Sequence, residues 1–146
     1  MKKNKLTFFI AGIMQGSHIT AEMHDQDYRE LIKEELQACF AQGEVYDPWA
    51  DHKESLDYSD TEGRDVFMNH NRMCGEVDVL IAYVPNASMG TAIEMWEAYR
   101  NSKIVITISP LVENWSVKFL SNVIYKDLAE FKKAARNGEL TKLVRG

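Results

Sequence analysis

Cysteines, long apolar runs and recognised cofactor motifs are scarce in this sequence of 146 residues. Its two cysteines, Cys39 and Cys74, form no Cys-x-x-Cys pair, which excludes a disulfide framework and the commonest zinc and redox motifs. No segment reaches the roughly 18 consecutive apolar residues of a membrane-spanning helix. The apolar stretch after Lys5 is short and interrupted by Thr7 and Gly12, which is typical of a buried strand rather than a signal peptide. We therefore expect a cytoplasmic protein without a membrane partner.

Basic residues are fewer than acidic ones. The chain has 17 Lys and Arg against 22 Asp and Glu, a net charge of -5. This balance argues against binding to a nucleic acid polymer or an anionic membrane, although a local pocket can still bind an anion. Apolar residues make up 45% and charged residues 27%, as in folded soluble proteins. The length is typical of one domain, so residues 1–146 are predicted to form a single domain.

Cofactor and metal motifs are also missing. Gly12 and Gly16 do not complete a G-x-G-x-x-G fingerprint, and no P-loop lysine occurs. His18, His24 and His52 stand near aspartates in predicted loops, but their spacing matches no recognised ligand pattern. We therefore expect neither a cofactor nor a metal site.

Continuous apolar runs alternate with amphipathic stretches along the chain. This alternation predicts an α/β fold, a doubly wound parallel sheet of about five strands with helices on both faces, of the flavodoxin-like or Rossmann-like kind. The predicted strands are 6–11, 44–46, 77–84, 104–108 and 123–125. The predicted helices are 26–42, 65–76, 88–101, 115–120 and 126–136, with an irregular loop over 48–63. In such sheets ligands bind beyond the carboxyl ends of the strands, which directs attention to the loops 12–17, 85–91 and 109–115.

The segment from Tyr83 to Tyr99 carries the clearest chemistry, because it follows a buried strand and begins a helix. Ser88 can cap that helix, and the amides of Gly90 and Thr91 can bind an anion at its N-terminus. Glu94 follows Thr91 by three residues, so both can face one crevice. A carboxylate there can attack an anomeric carbon, or it can simply complement the helix dipole or face solvent.

Several spaced residues are shared with one known family. They are Phe9-Ile-Ala-Gly12, Asp78, the Ser-x-Gly-x-x-x-Glu-x-x-x-Ala pattern of Ser88, Gly90, Glu94 and Ala98, and Ser109-Pro110. With this order, the chain resembles the nucleoside 2-deoxyribosyltransferase superfamily over roughly residues 8–110. That superfamily includes transferases and 2′-deoxynucleoside 5′-monophosphate N-glycosidases. The resemblance implies that Glu94 is the nucleophile that attacks C1′ and displaces the base.

The residue six positions before Glu94 distinguishes the branches of that family. The transferases carry Asp there and the monophosphate hydrolases carry Ser, so Ser88 implies a nucleotide substrate. A hydroxyl beside helix amides would bind a phosphate that a carboxylate would repel. The resemblance further implies substrate contacts from the first loop and from two positions elsewhere, namely Gly12, Gly16, Ser17, Asp78 and Asn114.

Two positions depart from the family pattern. Phe9 stands where the family presents a Tyr that hydrogen-bonds the nucleophile, so Tyr83 or Tyr46 can supply that phenol, or none does. His70 stands where the family has an Asp that assists the leaving base. His70 can be the general acid, since histidine titrates near neutral pH, or an exposed helix residue. Asp65 is the alternative acid, and Cys74 is interpreted as a core residue.

The leading hypothesis is therefore an N-glycosidase that cleaves the base–sugar bond of a deoxynucleoside or nucleoside 5′-monophosphate. Base exchange by a 2-deoxyribosyltransferase is the alternative within enzymes. A nucleotide-binding sensor without turnover is the alternative outside them, suggested by Phe9 and His70. The expected partner is a small-molecule nucleotide or nucleoside, and the resemblance implies a homo-oligomer.

Overall fold

The computed structural model of the chain describes residues 5–13 and 27–146. Its strands are β1 (Thr7–Gly12), β2 (Glu44–Tyr46), β3 (Val79–Tyr83), β4 (Ile104–Ile108) and β5 (Val123–Tyr125). Its helices are α1 (Asp27–Cys39), α2 (Pro48–Asp51), α3 (Asp60–Cys74), α4 (Met89–Arg100), α5 (Trp115–Leu120), α6 (Leu128–Arg136) and α7 (Glu139–Arg145).

The strands form one parallel sheet in the order β2-β1-β3-β4-β5. This order confirms the predicted doubly wound α/β fold. The strand order reverses between β1 and β3, where Gly12 and Tyr83 are paired at the two carboxyl ends. A ligand site is expected at that edge, because the connections there diverge to opposite sides and leave a crevice.

Alternate residues of each strand face the two helical layers. Phe8 and Ile10 of β1 pack with α1, α6 and α7, whereas Phe9 and Ala11 pack with α3, α4 and α5. Both layers exclude water from the central strands, which explains why these strands are apolar at nearly every position rather than at every second one. The helices that carry the predicted site residues belong to the second layer.

The predicted irregular loop at 48–63 is wrong in part. Asp47 caps α2, a 3-10 turn spans Ser55–Asp57, and α3 begins at Asp60. The early start of α3 has a local cause, because the Ser59 side chain accepts from the Glu62 backbone while the Glu62 carboxylate accepts from the Ser59 backbone, which forms a capping box.

The C-terminal end of the chain also differs from the prediction. A further helix, α7, follows α6 after Gly138, whose φ of 89° lies in the left-handed region that favours glycine. The helix α6 itself begins at Leu128, since Asp127 caps it. Within residues 5–13 and 27–146, no helix combines the length and the apolar character needed to cross a membrane.

Candidate active site

A cleft of about 730 Å³ opens at the carboxyl end of β1, between α3 and the start of α4. It is lined by the end of β1, by the segment 55–60, by one face of α3 and by the first turns of α4. The cleft therefore lies beside the reversal of strand order, as expected for this class of sheet. Six of the predicted site residues line it, namely Gly12, His70, Ser88, Gly90, Thr91 and Glu94.

The N-terminus of α4 forms one wall of the cleft. The Ser88 hydroxyl accepts from the Thr91 amide at 3.3 Å and donates to the Thr91 hydroxyl at 2.8 Å. The Thr91 amide is therefore occupied by the cap in this structure, and the role of Thr91 in anion binding stays a prediction. The Gly90 amide has no partner among the residues that the structure describes, and a Cβ at Gly90 would meet nothing within 4 Å.

Glu94 lies one turn further along α4, at the inner end of the cleft. The Cys74 thiol donates to its Oε2 at 3.7 Å. Burial raises the pKa of Glu94 to about 7, although the Arg29 charge and the Cys74 hydrogen bond act in the opposite direction. A carboxyl group with this pKa can act as a nucleophile above pH 7 and as an acid below it.

Arg29 of α1 is almost completely buried, with 1% of its surface exposed. Its guanidinium donates to the carbonyl oxygens of Ile10 and Gly12, at 3.1 and 3.0 Å, and to the Asp47 carboxylate at 3.1 Å. These bonds join the carboxyl end of β1, which lines the cleft, to the residue that follows β2. The sequence analysis missed Arg29, although it stands three residues before the buried Ile32 on the apolar stripe of α1.

Gly12 has a steric role at this edge. A Cβ at Gly12 would overlap the hydroxyl of Tyr28, whose ring stacks on Tyr83 with centroids 4.2 Å apart. Burial raises the pKa of Tyr28 to about 12, and the nearby Glu94 carboxylate also acts in that direction. Tyr28 therefore remains a neutral phenol beside the cleft.

Two histidine–tyrosine pairs lie on the other side of the cleft. His70 Nε2 is 3.3 Å from the Tyr46 hydroxyl, and His52 Nδ1 is 2.7 Å from the Tyr58 hydroxyl. The two imidazole rings meet edge to face with centroids 5.0 Å apart. Burial, together with the charges of His52 and Arg29, lowers the pKa of His70 to about 4, although Asp51 acts in the opposite direction. His70 is thus a neutral imidazole at pH 7, able to form hydrogen bonds but not to donate from an imidazolium.

The Phe9 ring packs within this aromatic group, 5.5 Å from Tyr46 and 5.9 Å from His70 between centroids. Tyr46 is turned towards His70, and Tyr83 is stacked on Tyr28. The described hydrogen-bond donor to Glu94 is a thiol, not a phenol.

Three predicted site residues lie outside the cleft. Asp65 is exposed on α3 and does not line it. Asp78 stands before β3, at the opposite edge of the sheet, where its carboxylate accepts from the Thr7 amide and hydroxyl at 2.8 and 3.0 Å. Asn114 caps α5 and lines a separate cavity of about 220 Å³, which it shares with Ser88. Gly16 and Ser17 lie outside the described residues.

The cleft-facing side of α3 contains two residues, Phe67 and Asn71, that the sequence analysis did not single out. They recur at helical spacing with His70 and Cys74, and Phe67, His70 and Asn71 line the cleft. Asn71 is 9% exposed, and its amide has no hydrogen-bond partner among the described residues. Arg64 is the one Lys or Arg among the described lining residues. Polar residues that recur every three or four positions, where a buried helix face would have apolar ones, are the pattern that could have identified this face.

We found no matching family model and no matching curated protein. Solved structures do match. A 2-deoxyribosyltransferase of Bacillus psychrosaccharolyticus is 18% identical, with a TM-score of 0.65 over 86% of this chain and 90% of its own. A conserved protein of Enterococcus faecalis V583 is 15% identical, with a TM-score of 0.61 over 90% and 98%. A CMP N-glycosidase of Clostridium botulinum is 19% identical, with a TM-score of 0.51 over 90% and 98%. The chain shares the fold of these proteins.

Proposed function

We propose that this protein belongs to the nucleoside 2-deoxyribosyltransferase superfamily and hydrolyses the base–sugar bond of a nucleoside 5′-monophosphate. The observation that carries the proposal is Glu94 itself, a carboxyl group with a raised pKa in the cleft beside the strand reversal. The shared fold supports it, since two of the matched structures are a 2-deoxyribosyltransferase and a CMP N-glycosidase.

The proposed reaction has two steps. The Glu94 carboxylate attacks C1′, and the C1′–N bond breaks with its electron pair leaving on the base, which takes up a proton. Water then attacks the glycosyl ester, which releases the sugar phosphate and restores the Glu94 carboxylate. Because the first step needs the ionised carboxylate, activity should rise as the pH passes through about 7.

The phosphate is proposed to bind at the start of α4. The Gly90 amide and the positive end of the helix dipole attract an anion, and the Ser88 hydroxyl stands beside them. Arg64 adds a positive charge on the facing helix, on the rim of the same cleft. Ser88 is neutral, so it adds no repulsion at this place.

The leaving base is proposed to lie against α3. The Asn71 carboxamide offers a donor and an acceptor towards the cleft, and Phe67 offers an aromatic face. His70, neutral at pH 7, would assist the base as a hydrogen-bond donor, not as an imidazolium. Asp65, the other candidate acid, is exposed on α3 outside the cleft lining.

The direct test is chromatography for released base, with the common ribo- and deoxyribonucleoside 5′-monophosphates and their nucleosides as substrates. Release from a monophosphate would support the hydrolase. A new nucleoside formed when a second base is added would instead indicate base exchange. A nucleotide that raises the melting temperature but is recovered intact would indicate a sensor.

Changing Ser88 to Asp should weaken monophosphate binding by at least about a hundredfold, because two negative charges would meet at a partly enclosed site. Binding of the corresponding nucleoside should change little. The measurement is KM for each substrate. Ser88→Asn is the matched control, since Asn also caps a helix but carries no charge. Equal losses for nucleoside and monophosphate would contradict the phosphate role of Ser88.

Changing Gly90 to Ala should raise KM for the monophosphate by about tenfold, because a methyl group would stand beside the amide that faces the phosphate. The fold should tolerate the change, since a Cβ at Gly90 meets no protein atom within 4 Å. The melting temperature of Gly90→Ala is the control for folding, and it should match that of the wild type. An unchanged KM in Gly90→Ala would place the phosphate elsewhere.

We also propose that a second copy of the chain covers the exposed apolar face of α4 and α5. Ile93, Trp96, Trp115 and Phe119 line a groove of about 410 Å³ there, and Trp115 is 77% exposed. Apolar side chains of this size in one place are typical of an interface between proteins. Sedimentation analysis of the wild type and of Trp115→Lys tests the homo-oligomer.

A further inference from the structure

Cys74 is the last residue of α3, and its side chain is completely buried between α3, α4 and the sheet. Its sulfur lies 3.7 Å from Oε2 of Glu94, so the bond joins the end of α3 to the middle of α4. Packing alone does not require the thiol to point at Glu94, because a buried thiol is a weak donor that packs stably without a hydrogen-bond partner. The contact therefore calls for an explanation beyond that of a core residue.

We infer that Cys74 is the positioning residue for Glu94: its thiol holds Oε2, so that Oε1 is presented to C1′ of the substrate. This inference rests on the proposed function. The thiol keeps its proton throughout the reaction, and no oxidation or reduction is involved. The carboxylate supplies the electron pair through Oε1 while Oε2 remains hydrogen-bonded.

The chemistry of sulfur suits this role. Burial and the Glu94 carboxylate both raise the pKa of the Cys74 thiol, so it keeps its proton and remains a donor at neutral pH. A thiol is a weak donor, so it orients a carboxylate while withdrawing little of its negative charge. An N–H or O–H donor would stabilise the charge more strongly and make the oxygen less nucleophilic.

Few other groups act on Glu94. From α1, the Arg29 charge favours the carboxylate, and Tyr28 stays neutral beside it. Tyr83 of β3 stacks on Tyr28, and His70 of α3 lines the same cleft as a neutral imidazole. Arg29 donates to the ends of β1 and β2, and among residues 5–13 and 27–146 the Cys74 thiol is the hydrogen-bond donor to the Glu94 carboxylate, so we assign to it the rotation of that carboxylate.

The test compares Cys74→Ala with Cys74→Ser and with Cys39→Ala. Cys39 is the matched control, since its thiol donates to the Ala135 carbonyl oxygen at 3.2 Å, away from the cleft. The first measurement is the titration of the Glu94 carboxyl group by carbon NMR, assigned with Glu94→Gln. The second is the pair of values kcat and KM for base release from the monophosphate that the wild type cleaves.

In Cys74→Ala we expect the pKa of Glu94 to rise by about half a unit, because a donor to the charged form is lost. We expect kcat to fall by about fivefold with KM unchanged. Cys74→Ser, whose hydroxyl is the stronger donor, should bring the pKa of Glu94 back to the wild-type value or below it and leave kcat below the wild type, and Cys39→Ala should change neither quantity. A Glu94 pKa and a kcat that both stay at the wild-type values in Cys74→Ala would overturn the inference.

Two further arms keep the test decisive. If Cys74→Ala does not fold, Cys74→Val fills the space without a donor and must show the same two changes. If the wild type releases no base from any nucleotide, the proposed function fails, and the Glu94 titration still decides whether the thiol holds the carboxylate. An unshifted Glu94 pKa in Cys74→Val would count against the inference in the same way.

Discussion

Glu94→Gln should lower the rate of base release by at least about a thousandfold and at the same time make the protein more stable at pH 8. The amide has nearly the same shape as the carboxyl group, but it cannot form the glycosyl ester. Residual activity within tenfold of the wild type would remove Glu94 from the proposed mechanism. The control is Glu97→Gln on the same helix, where the carboxylate forms a surface pair with Arg100 at 2.7 Å.

The stability gain follows from the pKa of Glu94, which is raised from 4.5 to about 7 by folding. The folded protein therefore holds this proton more tightly than the unfolded chain, and stability is lost as the pH rises from about 4.5 to 7. Above pH 7 the ionised group costs about 3 kcal/mol of the free energy of unfolding. Glu94→Gln should remove that cost, so its melting temperature should exceed the wild type by several degrees at pH 8 and match it at pH 4. Equal melting temperatures at pH 8 would contradict the raised pKa.

Arg29→Met should destabilise the protein by about 3–5 kcal/mol, which is the cost typical of removing one partner from a buried ion pair. Asp47 would keep an uncompensated charge, and the carbonyl oxygens of Ile10 and Gly12 would lose a donor. Urea unfolding at fixed pH measures the loss. Arg100→Met is the control, since its ion pair with Glu97 is on the surface, where solvent screens the charges, and its loss should change the stability little.

The partner of this ion pair allows a sharper measurement. The double variant Arg29→Met with Asp47→Asn should lose less stability than the sum of the losses in the two single variants, because it leaves no uncompensated buried charge. Arg29→Lys should retain part of the stability, since an ammonium group keeps the charge but does not reproduce the planar fork of donors. Additive losses in the double variant would show that Arg29 and Asp47 do not act as a pair.

Local sequence patterns predicted the sheet, because each central strand is a continuous apolar run and each packs between two helical layers. They also indicated Ser88 and Glu94 as candidate site residues. Both belong to the start of α4, and both line the same cleft. Asp78 was predicted to contact the substrate, but it stands at the amino end of β3. It therefore lies at the edge of the sheet opposite to the cleft. The start of α3 was missed, although Ser59 and Glu62, three residues apart, have the spacing of a capping box.

Contacts between distant residues are what the sequence could not supply. Cys74 and Glu94 are separated by 20 positions, and their contact depends on how α3 and α4 pack. Arg29 is visible as a charge on an apolar stripe, but its acceptors belong to the ends of β1 and β2. A pattern along one helix shows which face is buried, and only the packed structure shows which group meets that face.

The two helical layers on either side of the sheet differ in how freely their residues can be substituted during evolution. The helices α6 and α7 pack on the layer of α1, and none of their residues lines the cleft. Substitutions there are constrained by packing alone and can accumulate without altering the chemistry. On the opposite layer the core residues stand on the same helices as the residues that line the cleft, and one of them, Cys74, contacts the Glu94 carboxylate. Substitutions that change substrate specificity should therefore be found on α3 and α4, whereas α6 and α7 contribute to the stability of the fold.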